Sequence, residues 1–188
     1  MLPEQIKNFR EMVTLKDGAY VLLRALIKDD KARLIDFYKT TSEEDLRSFR
    51  HNVKDEALIA DWCEKLDYGQ VLPIIALAKD RIVGSASLHF FNGPKRHIGE
   101  VRLFLAKDYR KRGLGMKMIR ALIDLARKQG LSVLLAEIIA DKIKVVKAFE
   151  QLGFHSDCVL DDFFMFPDGD QCDVVVMTMA LRPKVDEF

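Results

Sequence analysis

The segment from residue 99 to residue 130 places the strongest constraint on the fold of this chain. It begins with "GEVRLFLA" (99–106), whose branched and aromatic residues favour a β-strand. The loop "KDYRKRGLG" (107–115) follows, and beyond it apolar residues recur at the spacing of one helical face: Met118, Ile119, Leu122, Ile123 and Ala126. Gly130 then supplies a typical helix C-terminal signal. The segment therefore predicts a strand that leads through a glycine loop into an amphipathic helix.

The rest of the chain alternates strand and helix patterns in an order that indicates an α/β fold. One strand, two helices and three strands of antiparallel type come first, followed by a helix, a strand, a helix and two closing strands. The predicted strands are 19–26, 71–80, 81–91, 99–106, 131–139, 155–166 and 172–181. Ser42 three residues before Asp45 is a capping signal for a short helix. We expect a mixed α/β sheet of about seven strands flanked by about four helices.

Length and charge limit the classes of function. The chain has 188 residues, a length typical of one domain. Its formal net charge is +1, so no strong overall electrostatic field attracts the protein to nucleic acid or to a membrane. We expect an N-terminal extension at 1–18, a single domain at 19–188, and neither nucleic acid nor membrane as a partner. No apolar run approaches the ~18 residues of a membrane span, and the N-terminus has no signal pattern. Three cysteines without ligand spacing predict reduced core thiols in a cytoplasmic protein.

The glycine loop predicts a binding site for phosphate. A helix that starts at Gly113 or Gly115 leaves its first N–H groups without internal acceptors, and the missing Cβ atoms allow an anion to approach the backbone. Cationic side chains surround the same point: Arg110, Lys111, Arg112 and Lys117. The preferred ligand is therefore a phosphate or diphosphate. A glycine turn with a solvated basic rim is the alternative interpretation of the same residues.

Of three known phosphate-binding patterns, one fits. The P-loop pattern is absent, and Met118 occupies a position where the dinucleotide fingerprint requires a small residue. "RKRGLG" (110–115) matches R/Q-x-x-G-x-G/A, and in this respect the chain resembles the GNAT superfamily of N-acetyltransferases. The resemblance extends over the order of elements from about 19 to 181 and includes "FEQLGF" (149–154) after the last helix.

The resemblance implies an acyl-CoA-dependent N-acetyltransferase with acetyl-CoA as co-substrate and no metal. In the family, the strand before the loop binds the pantetheine arm through its backbone, which here implies Phe104 and Leu105. Loop amides bind the pyrophosphate, and basic side chains pair with its charge. The residues that this implies here are Arg110, Lys111, Arg112, Gly113, Leu114, Gly115 and Met116, with Lys117 less strongly implied.

Two positions depart from the family pattern. Lys142 replaces the usual Asn of the last helix, so its contact with the cofactor arm is open. Phe149 replaces the usual Tyr, and a phenyl ring has no proton to donate to the leaving thiolate. A thiol with pKa about 8.5 can leave near neutral pH without an acid.

Glu100 is the candidate catalytic base. Removing a proton from a lysine-like amine of pKa about 10.4 at pH 7 costs roughly 4.6 kcal/mol, so a nearby carboxylate would help. Glu100 lies five residues before Leu105 on the same predicted strand, and "GEVRLFLAKDYRKRGLG" is similar to the bacterial GNAT branch that acetylates protein lysines, where the matching Glu is the base. The alternative is a strand carboxylate paired with Arg102. Glu137 could also approach the cleft, although a satisfied sheet carboxylate is the preferred interpretation of it.

The predicted acceptor is a primary amine, with protein lysine as the leading class and a small amine metabolite as the second. A non-catalytic acetyl-CoA sensor is the alternative from a different class, because the family Tyr is missing. An enzyme that uses ATP or NAD at the same loop is a further alternative. The four histidines show no ligand spacing, and the sequence does not indicate an oligomeric state.

Overall fold

The mixed α/β architecture is confirmed, with eight strands and five α-helices in the described residues. In this computed structural model the described residues are 6–181. The first five residues of the predicted extension and the last seven of the predicted domain lie outside this range. The strands are β1 Arg10–Thr14, β2 Tyr20–Ala25, β3 Val71–Ala78, β4 Arg81–Phe90, β5 Ile98–Leu105, β6 Val133–Ile139, β7 His155–Met165 and β8 Gln171–Ala180. The α-helices are α1 Lys31–Lys39, α2 Glu43–Leu46, α3 Glu56–Glu64, α4 Leu114–Lys128 and α5 Ile143–Gln151.

The strands form one sheet in the order β1-β2-β3-β4-β5-β6-β8-β7. β1, β2 and β3 pair antiparallel, β5 and β6 pair parallel, and β8 pairs antiparallel with both β6 and β7. Because both directions occur, the sheet is mixed, as the sequence predicts. The turn "PDGD" (167–170) joins the last two strands, with Gly169 at φ +92°.

β1 is the strand that the sequence prediction lacks. Only Val13 of its five residues is buried, so the strand shows no alternation of apolar and polar residues. Backbone pairing with β2 holds it in place, from Arg10 opposite Arg24 to Thr14 opposite Tyr20. A turn at Lys16–Gly18 connects the two strands, with the N–H of Gly18 bonded to the carbonyl of Leu15 at 3.0 Å.

Short-range signals fix the helices between β2 and β3. Ser42 caps α2 as predicted, since its hydroxyl accepts from the N–H of Asp45. Asp55 caps α3 by accepting from the N–H groups of Ala57 and Leu58. α2 and α3 are therefore two separate helices, each with its own N-cap. This explains why the described residues contain five α-helices where about four were expected.

The described residues form two compact units. The first comprises the residues up to Ser87 together with Leu103–Ile119. Its core contains an aromatic cluster of edge-to-face and stacked rings, in which Phe104 of β5 contacts three other rings: Phe37, Tyr38 and Phe49. Trp62 joins the cluster through Tyr38, at 6.5 Å between ring centroids.

The second unit comprises Leu88–Arg102 and the described residues from Arg120 onward. Its buried side chains come from α4, β6, α5 and β8, and include Leu122, Leu134, Phe149 and Met177. Phe149 packs edge-to-face on Phe154 at 5.0 Å between ring centroids. The residue that replaces the family Tyr is therefore part of the apolar packing of this unit.

Between residues 6 and 181, no helix is long and apolar enough to span a membrane. The cysteines are free, but the expectation that all three lie in a core is wrong: Cys63 is buried, Cys172 is partly buried and Cys158 is exposed. Cys158 lies on the edge strand β7, whose residues are exposed except for the partly buried Leu160 and Phe164.

Candidate active site

The start of α4 has the backbone geometry of an anion site. Gly113 precedes the helix at φ +85°, a conformation that glycine adopts without a steric penalty. The N–H of Lys117 donates to the carbonyl of Gly113 at 3.3 Å, which is the first bond of the helical ladder. The N–H groups of Leu114, Gly115 and Met116 come before that ladder, where an α-helix provides no internal acceptor. Three donors and the positive end of the helix dipole thus lie together.

Gly115 allows α4 to pack closely on β5, a role that differs from the anion approach expected from sequence. A Cβ atom at this position would lie 3.1 Å from Cδ2 of Leu103 and 3.4 Å from Cδ1 of Leu105. A side chain there would require the ends of Leu103 and Leu105, or the first turn of the helix, to shift by a few tenths of an ångström. The glycine fixes where the N–H groups of this turn lie relative to the end of β5.

Arg110 connects the end of β5 to α2. Its Nε donates to the carbonyl of Leu105 at 3.1 Å and one Nη donates to Asp45 at 2.9 Å. The guanidinium also lies over the ring of Phe104, 5.6 Å from its centroid. Burial acts to raise the pKa of the Asp45 carboxyl, but hydrogen bonds from Arg110 and Ser42 outweigh burial and lower that pKa. The charge of Arg110 is therefore already matched, and its predicted role at the pyrophosphate stays a prediction.

Arg112 is matched in a similar way by the turn between β1 and β2. Its Nε and one Nη each lie 2.6 Å from a carboxylate oxygen of Asp17. Its other Nη donates to the carbonyl of Asp108 at 3.2 Å, and the guanidinium lies 4.3 Å from the ring centroid of Tyr109. These contacts hold the side chain on one side of the loop.

Lys111 and Lys117 keep their charges available. Lys111 is exposed and has φ +59°, in the left-handed region that residues other than glycine rarely adopt. Neither lysine forms an ion pair with any residue in the range 6–181. The unmatched positive charge of the loop therefore comes from lysines, while its arginines shape the backbone.

The ladder between β5 and β6 stops at Glu100. Its register pairs are Ile98 with Val133, Gly99 with Leu134 and Glu100 with Leu135, yet β5 continues to Leu105 and β6 to Ile139. The backbone of β5 beyond Glu100 is therefore outside the parallel ladder. The carbonyl of Leu105 already accepts from Nε of Arg110, and binding of a ligand by the backbone of Phe104 and Leu105 stays a prediction.

Glu100 is buried at the end of this ladder. Its side chain is 5% exposed, and its two carboxylate oxygens accept from Nε and one Nη of Arg102 at 3.0 and 2.9 Å. The predicted alternative, an ion pair with Arg102, is therefore present. A base role for Glu100 stays a prediction that must account for this partner. Glu137 is half-buried on β6.

The remaining predicted residues lie at the start of α5. Lys142 is exposed and occupies the N-cap position, where its carbonyl accepts from the N–H groups of Val145 and Val146 at 2.7 and 3.2 Å. Its side chain forms no hydrogen bond among the described residues, and its contact with a cofactor stays a prediction. No cluster of three potential metal ligands occurs in the part of the chain that the structure describes.

Sequence reasoning missed the partners that organise the loop. Asp45 was interpreted only as part of a helix cap, and Asp17 only as part of the N-terminal extension. They lie 65 and 95 residues from their arginine partners, a separation over which residue spacing gives no signal. The cationic density of the loop is the one available signal, since closely spaced arginines need carboxylate partners when partly buried.

The fold and the start of α4 define the class of this protein. The chain belongs to the acetyltransferase (GNAT) family, whose model matches residues 26–154. This match covers more than half of the chain and confirms the family that the loop motif indicated.

Individual relatives are more distant. The chain is similar to the ribosomal protein bS18 alanine N-acetyltransferase of Escherichia coli (strain K12), with 28% identity over 74 residues, 39% of this chain and 49% of that protein. The chain thus spans about half the length of the curated relatives that it matches.

Solved structures agree with the fold. The ribosomal-protein-alanine N-acetyltransferase from Brucella melitensis gives a TM-score of 0.74 at 23% identity, covering 84% of this chain and 98% of that one. The yncA protein of Salmonella typhimurium, solved with its cofactor acetyl-CoA, gives a TM-score of 0.75 at 20% identity, covering 88% and 96%. These similarities show the fold.

Proposed function

We propose that the protein transfers an acetyl group from acetyl-CoA to a primary amine by direct attack. The observation that carries the proposal is the start of α4, where the N–H groups of Leu114, Gly115 and Met116 precede the helical ladder behind a left-handed Gly113. A diphosphate suits this arrangement because it offers several acceptor oxygens and negative charge at once. Family membership supports CoA as the source of that diphosphate.

The end of β5 supports binding of the acyl-carrying arm. Beyond Glu100 the strand leaves the β6 ladder, and its last residues Phe104 and Leu105 lie close in sequence to the loop. A pantetheine arm is amide-rich and can pair with such a strand end as another strand would. The aromatic cluster holds Phe104, so the backbone at this point is anchored by packing.

Glu100 is proposed to accept the proton of the attacking amine. The nitrogen of the neutral amine forms a bond to the acetyl carbon, the carbon–sulfur bond breaks, and the thiolate leaves with the electron pair. No acid is assigned to the leaving group, since Phe149 is buried and has no proton to donate. Arg102 would hold the Glu100 carboxylate in one orientation, and the proton can reach it directly or through water.

The acceptor class is proposed to be an amine of a polypeptide, with lysine as the leading class and a small amine as the second. The name of the curated relative adds the terminal amine of an alanine. Deprotonating an α-amine of pKa near 8 at pH 7 costs only about 1 kcal/mol, whereas a lysine amine costs about 4.6 kcal/mol. A lysine acceptor therefore needs the carboxylate more than an α-amine does.

Glu100→Gln tests the catalytic part of the proposal. We expect CoA affinity by calorimetry to stay within about twofold of wild type, and kcat with lysine peptides to fall by roughly 10²- to 10⁴-fold. Glu137→Gln is the comparison variant and should retain near wild-type turnover. The assay panel contains lysine peptides, peptides with an N-terminal alanine, and polyamines.

Three outcomes separate the alternatives. Unchanged turnover in Glu100→Gln would remove this residue from the mechanism. If Glu100→Gln loses activity but its rate still falls at acidic pH as in wild type, Glu100 has a structural role. A wild-type protein that binds CoA but acetylates no member of the panel would favour the acetyl-CoA sensor.

A further inference from the structure

The turn between β1 and β2, residues Lys16–Gly18, lies directly against the glycine loop. The N–H of Lys16 donates to the carbonyl of Arg112 at 3.1 Å, and Asp17 holds the guanidinium of Arg112. The family model begins only at residue 26, so this turn is outside the matched region. The backbone and a side chain of this turn thus both contact the loop residue Arg112.

The side chain of Lys16 runs along Gly113. A Cβ atom built on Gly113 would lie 3.4 Å from Cγ, 3.5 Å from Cε and 3.8 Å from Cδ of Lys16. Because Nζ is one bond beyond Cε, the ammonium lies within about 5 Å of the same point. The methylene groups of Lys16 therefore pack on the side of Gly113 from which a Cβ atom would project.

The charge of Lys16 is unmatched where two arginine charges are already matched. Arg110 is paired with Asp45, and Arg112 is paired with Asp17. Lys16 is exposed and forms no ion pair with any residue of the described part of the chain. The ammonium of Lys16 can therefore supply an unpaired positive charge beside Gly113, where the charge of Arg112 is already paired with Asp17.

We propose that Lys16 is an additional binding residue for the pyrophosphate of CoA, held over the loop by the Asp17–Arg112 ion pair. The proposal rests on the proposed function, because it assumes that CoA occupies the start of α4. An ammonium is a mobile point charge that can contact either phosphate, whereas the backbone N–H groups of the loop have fixed directions. Lys16 therefore adds affinity without being part of the family motif.

Two substitutions at one position separate charge from packing. Lys16→Met keeps the stem and removes the charge, and we expect it to weaken CoA binding about three- to tenfold at low salt. Lys16→Arg keeps the charge and should bind CoA within about twofold of wild type. Lys128→Met, in the last turn of α4, removes one charge from the other end of the helix and should leave the affinity unchanged. Titration calorimetry gives the Kd values, and thermal unfolding checks that each variant is folded.

Ligand truncation identifies the phosphate. The loss in Lys16→Met should be the same for CoA and for 3′-dephospho-CoA, which retains the pyrophosphate, and absent for pantetheine. The loss should also shrink at 1 M salt, where exposed charges are screened. A loss seen with CoA but not with 3′-dephospho-CoA would overturn the assignment to the pyrophosphate.

Failure of this inference is distinguishable from failure of the proposed function. Equal affinity of Lys16→Met and wild type for CoA would overturn the role of Lys16 and leave the proposed function intact. Equal weakening in Lys16→Met and Lys16→Arg would also overturn it, because stem packing alone would then explain the effect. A wild-type protein that binds none of the CoA ligands would contradict the proposed function itself.

Discussion

Gly113 combines a left-handed backbone conformation with a free face on which another side chain packs. Its φ of +85° turns the chain from the loop into α4, and Lys111, two residues earlier, also adopts a left-handed conformation. The Lys16 stem packs on the free face of the glycine. The φ of Lys111 is unusual for a residue other than glycine, and the contacts of Arg110 and Arg112 hold the chain on both sides of it.

Gly113→Ala should lower both stability and CoA affinity. An alanine at this φ costs about 1–2 kcal/mol, and relaxation of the strain moves the N–H groups of the first helical turn. We expect a similar loss in the free energy of unfolding and at least a tenfold rise in the Kd for CoA, measured by denaturation and calorimetry.

Gly169→Ala is the matched control for Gly113→Ala. Gly169 has φ +92° in the turn between β7 and β8, and a Cβ there would meet no atom within 4 Å. It should lose comparable stability and keep its CoA affinity. If both variants changed CoA affinity equally, general destabilisation would explain the result and the loop would lose its assigned role.

At the scale of elements, the passage from β2 into α1 depends on one buried ion pair. Asp30 is fully buried and accepts from two Nη atoms of Arg24, at 2.6 Å each, and from the N–H of Ile27 at 3.0 Å. The hydroxyl of Tyr68 donates to the carbonyl of Leu26 at 2.5 Å. The polar groups at this junction therefore have partners within the protein.

Asp30→Asn should be strongly destabilising. It leaves the buried guanidinium of Arg24 without a counter-charge, and breaking one side of such a pair typically costs about 3–5 kcal/mol. The control Glu64→Gln removes half of the exposed Lys31–Glu64 pair and should cost less than about 1 kcal/mol. Chemical denaturation of the three proteins gives the comparison. Equal stabilities would mean that water reaches the junction.

The same pair predicts a pH dependence. Burial acts to raise the pKa of Asp30, but hydrogen bonds from Arg24 and Ile27 outweigh it and lower the pKa below its ordinary value. The ion pair therefore stabilises the folded state above about pH 4 and loses this contribution as the pH falls through the lower, folded-state pKa. The free energy of unfolding should fall more steeply below pH 4 in wild type than in Asp30→Asn. Parallel curves would contradict the pairing.

Elements with a strong local pattern could be predicted, and those held by distant partners could not. The apolar periodicity of α4 and the Ser42 cap were sufficient for correct predictions. β1 was missed because one buried residue in five is no pattern. The loop motif identified the family, but the partners of Arg110 and Arg112 depend on strand order, which residue spacing does not encode.

At the scale of the whole molecule, a net charge of +1 conceals a local excess of cations at one loop. A ligand that binds only the folded protein stabilises it by about 2.7 kcal/mol at 100 times its Kd. For a chain of this size, that corresponds to a rise in Tm of roughly 5–10 °C. We expect CoA to produce this shift, and ATP and NAD to produce much less, because the chain lacks the P-loop and dinucleotide patterns that those ligands require. The shift should rise with CoA concentration and become smaller in Gly113→Ala, but not in Gly169→Ala. A shift with ATP or NAD and none with CoA would instead indicate a nucleotide-dependent protein that uses the same helix N-terminus.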